Sequence, residues 1–110
     1  MMPQPILMEL VLTGELMPIE RLQALGFVNY VEPTPDAVRE RARQLARSIR
    51  DNAPLSVIAA KRSVLAAMNL GCEEGFKAAM EFHEPVYRSA DAVEGPRAFA
   101  EKRKPIWQGK

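Results

Sequence analysis

Proline and glycine residues divide this sequence into short segments, and this division constrains the fold more than any other feature. Pro18, Pro35 and Pro54 each stand where a helix can begin, because the first helical residue needs no N–H donor. Gly14 and Gly71 stand where helices can end, since glycine readily adopts the left-handed backbone that often follows a helix. The pattern therefore predicts a succession of short helices.

Apolar residues between these breaks recur at helical spacing. One stripe advances by three or four residues at a time, as on one face of a helix, and consists of Val38, Ala42, Leu45 and Ile49. The segment Leu55–Met68 is apolar on more than one side, which predicts a central helix. We predict an all-α fold of four to five short helices, forming a single helical domain over residues 1–110.

Two segments interrupt this helical pattern. The run Phe27–Val31 is rich in β-branched and aromatic residues, but it has no evident partner strand, so we predict an extended connector. Pro85 follows the apolar stripe around His83. Because proline removes a helical hydrogen bond and clashes with the preceding turn, we expect it to bend or split that helix near Glu84.

The composition excludes several functions. The 15 Lys and Arg residues nearly cancel the 14 Asp and Glu residues, so the charge balance provides no overall field for nucleic acid or an anionic membrane. No stretch reaches the roughly 20 apolar residues of a membrane span. The N-terminus lacks the basic-then-apolar order of a signal peptide, and we predict a cytoplasmic protein.

Residues that carry catalysis or bind metals are scarce. Cys72 and His83 are the sole cysteine and histidine, and one of each cannot complete the usual metal-ligand sets. We expect His83, on the apolar stripe, to be structural. The sequence offers no nucleophile–base pair and no glycine-rich phosphate loop. We therefore predict no catalytic and no metal-binding residue.

The end of the chain offers one candidate binding pair. Asp91 and Glu94 have the spacing of a capping box, which predicts a last helix that ends before Pro105. Phe99 and Lys102 would share one face of that helix. An aromatic ring beside an ammonium could hold an adenine and a phosphate. Alternatively, Phe99 belongs to the core and Lys102 complements the negative end of the helix dipole.

Three segments together resemble the enoyl-CoA hydratase/isomerase (crotonase) family. The first contains a Leu-Thr-Gly turn and the second reads Ala-Leu-Gly-Phe-Val-Asn. The third resembles the family's closing signature, Ser-x-Asp…Glu-Gly…Ala-Phe…Glu-Lys-Arg…Pro. They lie at Met8–Glu15, Ala24–Asn29 and Ser89–Pro105. All three correspond, in order, to the C-terminal part of the family's chain.

This resemblance implies a helical region without the ββα spiral core of the family. Family members form their oxyanion hole and carry their catalytic carboxylates in that core. The full chain would therefore act as a lyase or isomerase of fatty acid metabolism, hydrating or isomerising the double bond of an enoyl-CoA. The 110-residue chain alone is expected to be inactive, and no catalytic residue is assigned to it.

The resemblance also implies roles for the helical region. In the family, this region covers the acyl pocket, forms much of a trimer interface and brings an aromatic residue and a lysine to the adenine and 3′-phosphate of CoA. Phe99 and Lys102 match those two positions. We expect a homo-oligomer, an acyl-CoA substrate and no cofactor beyond its CoA moiety. The alternative is a natural short module for association or CoA binding, with apolar surface exposed around the helices from Leu55 and Phe76.

Overall fold

The computed structural model describes residues 3–110, which contain six α-helices and no β-strand. The helices are α1 (Gln4–Thr13), α2 (Ile19–Ala24), α3 (Pro35–Arg50), α4 (Pro54–Leu70), α5 (Cys72–Tyr87) and α6 (Ala90–Ala100). The all-α prediction is confirmed, and the six helices are one more than the four to five expected. Phe27–Val31 forms no strand, in keeping with the predicted connector.

Several helix ends follow directly from local chemistry. Gly14 ends α1 with φ of 66°, and its N–H donates to the Leu10 carbonyl. Thr34 precedes α3, and its hydroxyl accepts a hydrogen bond from the Ala37 amide at 3.2 Å. This bond satisfies one of the N–H groups that a helix start leaves unpaired.

The split predicted at Pro85 is wrong, because α5 runs through this residue to Tyr87. The alternative of a bend stays a prediction. Only two residues of the helix follow Pro85. The proline ring therefore removes a donor from the last turn, where loss of a hydrogen bond disturbs little of the helix.

Both predicted ends of the last helix also need correction. The N-cap of α6 is Ser89, whose Oγ accepts from the Ala92 amide at 3.1 Å. Asp91 therefore lies in the first turn and forms no capping box with Glu94. The helix ends at Ala100, before Pro105 as predicted, but Lys102 lies beyond it rather than within it, because the backbone turns left-handed at Lys102.

Helices α4 and α5 form a tightly packed hairpin joined by the single residue Gly71. Gly75 of α5 is buried against α4, and a Cβ placed on it would lie 2.7 Å from the Cα of Ala67. Ala59 of α4 is only 2% exposed. Small side chains thus allow the two backbones to approach closely.

The chain buries little apolar surface of its own. Within residues 3–110, the buried apolar residues are Ala53, Ala59 and Ala98, and no large side chain is fully buried. Exposed apolar side chains on α4 and α5 include Ile58, Val64, Leu65, Met68, Phe76 and Met80. The predicted exposure around these two helices is present. We predicted that α4 would be central, and this is true for one face only. Helix α5 covers that face, whereas other apolar side chains of α4 are exposed.

The chain divides into two compact units, of which the first ends at Gln44 and the second runs from Leu45 to Lys110. In the first unit, Arg21 forms two hydrogen bonds with Glu9, at 3.2 and 3.1 Å. Arg41 pairs with Glu32 at 2.8 Å and lies 5.1 Å from the centre of the Tyr30 ring.

The single domain over residues 1–110 stays a prediction. Across residues 3–110, each helix falls short of the length and apolarity needed to span a membrane.

Candidate functional site

Phe99 and Lys102 both lie on the surface at the C-terminal end of α6. The Phe99 side chain belongs to the last turn of the helix and is 87% exposed, so it is not part of a core in this chain. Lys102 lies two residues beyond the helix, and its amide donates to the Phe99 carbonyl at 3.1 Å. The structure therefore places the two predicted residues at one helix end, joined through the backbone rather than along a shared helical face.

The turn that carries Lys102 is a Schellman motif. Its two defining hydrogen bonds run from Lys102 to Phe99 and from the Arg103 amide to the Ala98 carbonyl, the latter at 3.0 Å. Lys102 occupies the left-handed position of this motif with φ of 53°, where glycine is preferred. The other positive-φ residues in the described range are all glycines: Gly14, Gly26, Gly71 and Gly109. A lysine here holds a conformation that costs about 1 kcal/mol relative to glycine.

Arg103 anchors this turn to the body of α6. Its Nη1 and Nη2 atoms donate to the two carboxylate oxygens of Glu94 at 2.6 and 2.9 Å, and its Nε atom donates to Glu101. Glu94 also accepts a hydrogen bond from the Ile106 amide at 2.7 Å. The Glu94 side chain is 17% exposed and that of Arg103 is 35% exposed. We call Glu94, Glu101 and Arg103 the α6 clamp.

The α6 clamp changes the acidity of its members. Hydrogen bonds from Arg103 and from the Ile106 amide stabilise the carboxylate and lower the pKa of Glu94 to about 2. Hydrogen bonds from Arg103 and Arg97 likewise lower the pKa of Glu101. Both carboxylates therefore stay ionised at neutral pH, and each is paired with arginine.

The low pKa of Glu94 predicts how stability depends on pH. A folded-state pKa below the ordinary value of 4.5 stabilises the fold above pH 4.5, and this contribution is lost as the pH falls from 4.5 towards 2. We expect the stability difference between the wild type and Glu94→Gln to shrink over that interval and to be constant from pH 5 to 7. Urea unfolding at several pH values measures the difference. A carboxyl NMR titration of Glu94 with its midpoint at an ordinary value would contradict the clamp geometry.

The tail, residues 104–110, is hydrogen-bonded to the start of α6. Asp91 is only 4% exposed, and its carboxylate accepts hydrogen bonds from the amides of Gln108 at 2.7 Å and Gly109 at 2.9 Å. The Trp107 indole N–H donates to the Asp51 carbonyl at 2.9 Å. Sequence reasoning noticed Asp91 and Glu94 by their spacing but assigned them to a cap. Their partners lie in the tail, so no local pattern could reveal them.

His83 has the surroundings of a structural residue. Its Nδ1 atom lies 2.9 Å from the Ala79 carbonyl and 3.4 Å from Ser63 Oγ, and the side chain is half-buried. An Nδ1–H tautomer would donate to that carbonyl within the same helix. Its ring also lies 6.3 Å from the Tyr87 ring. In the part of the chain that the structure describes, no group of three or more His, Cys, Asp or Glu residues could hold a metal ion.

Comparisons with known proteins relate the whole chain to one group of enzymes. A family model described as enoyl-CoA hydratase/isomerase matches residues 1–110. Carnitinyl-CoA dehydratases from Citrobacter koseri and Salmonella typhi are each 37% identical over 114 aligned residues, covering 100% of this chain. Crystal structures of enoyl-CoA hydratases from Mycobacterium tuberculosis and Mycobacterium marinum superpose with TM-scores of 0.91 and 0.90, at 40% and 41% identity over 99% of this chain.

The match covers only part of each relative. This chain spans 43% of the Citrobacter koseri and Salmonella typhi enzymes, 43% of the Mycobacterium tuberculosis structure and 44% of the Mycobacterium marinum structure. Its all-helical architecture is consistent with the C-terminal helical part of such proteins.

Proposed function

Because the chain belongs to the enoyl-CoA hydratase/isomerase family, we propose that it is the helical region of an enzyme that hydrates or isomerises the double bond of an enoyl-CoA. In this proposal, catalysis belongs to the spiral core that the family resemblance implies. The helical region binds the CoA moiety and packs against the core and against other copies.

The observation that carries the CoA-binding role is the geometry around Lys102. Lys102 adopts a left-handed backbone conformation that glycine adopts at lower free energy. Such local backbone strain often accompanies function. Within residues 3–110, no hydrogen bond or ion pair of the structure engages its ammonium. The neighbouring Phe99 ring is 87% exposed. A lysine can bind a phosphate as a compact point charge, and an exposed ring can stack on an adenine.

The exposed apolar side chains support the packing role. Apolar surface of this extent on α4 and α5 is unusual for a free-standing domain and marks an interaction surface. We propose that the spiral core and neighbouring subunits of a homo-oligomer, trimeric in type, cover it. Sedimentation of the purified protein tests this role, since a clean monomer at high micromolar concentration would contradict it.

The first test is the mass of the polypeptide in its source cell, followed by hydration of crotonyl-CoA by the protein at that length. A mass large enough for the spiral core, together with activity, supports the proposed enzyme. A mass near 12 kDa without activity favours the alternative of a short association or CoA-binding module, which the exposed apolar faces also support.

Replacing Lys102 by alanine is expected to weaken CoA binding roughly 3- to 10-fold, the range for losing one charged hydrogen bond at a partly exposed site. Binding of 3′-dephospho-CoA should change less than twofold, because that ligand lacks the phosphate. Calorimetric titration of the native-length protein with both ligands measures the two affinities. Lys61→Ala, which removes one positive charge from α4, serves as the control and should change neither.

Lys102→Gly separates binding from stability at the same position. Glycine should stabilise the turn by about 1 kcal/mol while losing the same CoA affinity as alanine. Equal losses for CoA and dephospho-CoA in either Lys102 variant would remove Lys102 from the binding site.

A further inference from the structure

The two residues on either side of Lys102 both form side-chain hydrogen bonds. Glu101 precedes it and Arg103 follows it, and these two residues are hydrogen-bonded to each other. Arg97, one turn back along α6, also donates to Glu101 at 3.1 Å. The backbone that orients the Lys102 side chain is therefore restrained on both sides by hydrogen-bonded neighbours.

Glu94 is the residue on which this arrangement depends most. Its carboxylate accepts hydrogen bonds from both terminal nitrogens of Arg103 and from the Ile106 amide. This one side chain therefore connects α6, the turn and the tail. Bidentate pairing fixes the plane of the guanidinium as well as its distance. At 17% exposure, the Glu94 side chain is also the more shielded partner of the pair.

We propose that Glu94 is a positioning residue which, through Arg103, holds Lys102 in place to recognise a phosphate monoester, the 3′-phosphate of a CoA ligand. This inference rests on the proposed function of Lys102. Glu94 itself need not touch the ligand. Its role is to keep the left-handed turn closed, so that the ammonium is already placed when the ligand arrives and little side-chain and backbone freedom is lost on binding.

Electrostatics alone makes the opposite prediction. The ion-paired groups that flank Lys102 in this part of the chain are the carboxylates of Glu94 and Glu101 and the guanidinium groups of Arg97 and Arg103. Removing the negative charge of Glu94 leaves this cluster more positive, which would strengthen phosphate binding if charge were the only effect. If Glu94 positions Lys102, its removal weakens phosphate binding.

The test compares CoA with 3′-dephospho-CoA in the native-length protein. The measured quantity is the ratio of their dissociation constants, because this ratio isolates the contribution of the 3′-phosphate and is insensitive to a general loss of folded protein. Glu94→Gln should reduce the preference for CoA about threefold. Arg103→Lys keeps the positive charge but loses the planar fork, and it should reduce the preference to a similar extent. The matched control is Glu84→Gln, which removes the carboxylate of an exposed ion pair with Arg88 on α5 and should leave the ratio unchanged.

A double variant then separates this inference from the proposed function. In a Lys102→Ala background, Glu94→Gln should cause no further change in the ratio, because the residue through which it acts is absent. If Lys102→Ala lowers the preference but Glu94→Gln leaves or raises it, the positioning role is overturned while the CoA site stands. If Lys102→Ala leaves the ratio unchanged, the proposed function of Lys102 fails and the positioning role fails with it.

Discussion

Replacing Gly75 by alanine is expected to lower the free energy of unfolding by about 1–3 kcal/mol, the range for overpacking a closely packed site. The added Cβ would lie 2.7 Å from the Cα and 3.1 Å from the backbone nitrogen of Ala67. These are main-chain atoms of α4, so no side chain can rotate to make room. The two helices must separate, and that loss outweighs the helix propensity that alanine gains over glycine. Thermal unfolding of the native-length protein measures the change.

Gly95 provides a matched control in the next helix. A Cβ at this position would lie 3.4 Å from the Trp107 ring, which is at the boundary of ordinary van der Waals contact. Gly95→Ala should therefore leave stability unchanged or raise it by up to about 1 kcal/mol through helix propensity. Equal melting temperatures for the Gly75→Ala variant and the wild type would show that α4 and α5 do not approach as closely as the structure indicates.

Replacing Asp91 by asparagine is expected to release the tail from α6. Asp91 is only 4% exposed, and its carboxylate accepts hydrogen bonds from two backbone amides. Hydrogen bonds to charged groups contribute roughly 1.5–3 kcal/mol each. Asparagine keeps the shape but turns one acceptor into a donor, which then faces an amide N–H. We expect a loss of about 3 kcal/mol at this site, equivalent to roughly a hundredfold faster exchange of the Gln108 and Gly109 amide hydrogens.

The control for this substitution is Asp36→Asn at the start of α3. Asp36 is also an aspartate in a first helical turn, but its side chain is 92% exposed and forms an ion pair with Arg39, three residues along the helix. An exposed pair of this kind contributes at most about 1 kcal/mol. If Asp91→Asn left the exchange of the two tail amides unaltered, the buried carboxylate would not be what holds the tail.

Local chemistry in the sequence was sufficient to predict most helix boundaries. Thr34 before Pro35 and the left-handed Gly14 act through hydrogen bonds within four residues along the chain. These interactions need no knowledge of tertiary structure. The same local reasoning wrongly predicted a split at Pro85. The effect of a proline depends on how much of the helix follows it, and here only two helical residues do.

The candidate site was predictable only in part. Family resemblance pointed to Phe99 and Lys102, but helical spacing placed them on a common face that does not exist, since the helix ends at Ala100. A lysine in the left-handed position of a Schellman motif has no sequence signature, because that position is usually glycine. The contacts of Asp91 with the tail span 17 and 18 residues, beyond the reach of periodicity.

The single-residue connection between α4 and α5 has a kinetic consequence. Contacts in this hairpin join residues that are close in sequence, so little loop entropy opposes their formation, whereas the hydrogen bond between Trp107 and Asp51 closes a separation of 56 residues. The hairpin is thus suited to serve as the folding nucleus, with the tail docking afterwards. On that order of events, damage at Gly75 slows folding, whereas damage at Asp91 chiefly shortens the lifetime of the folded state.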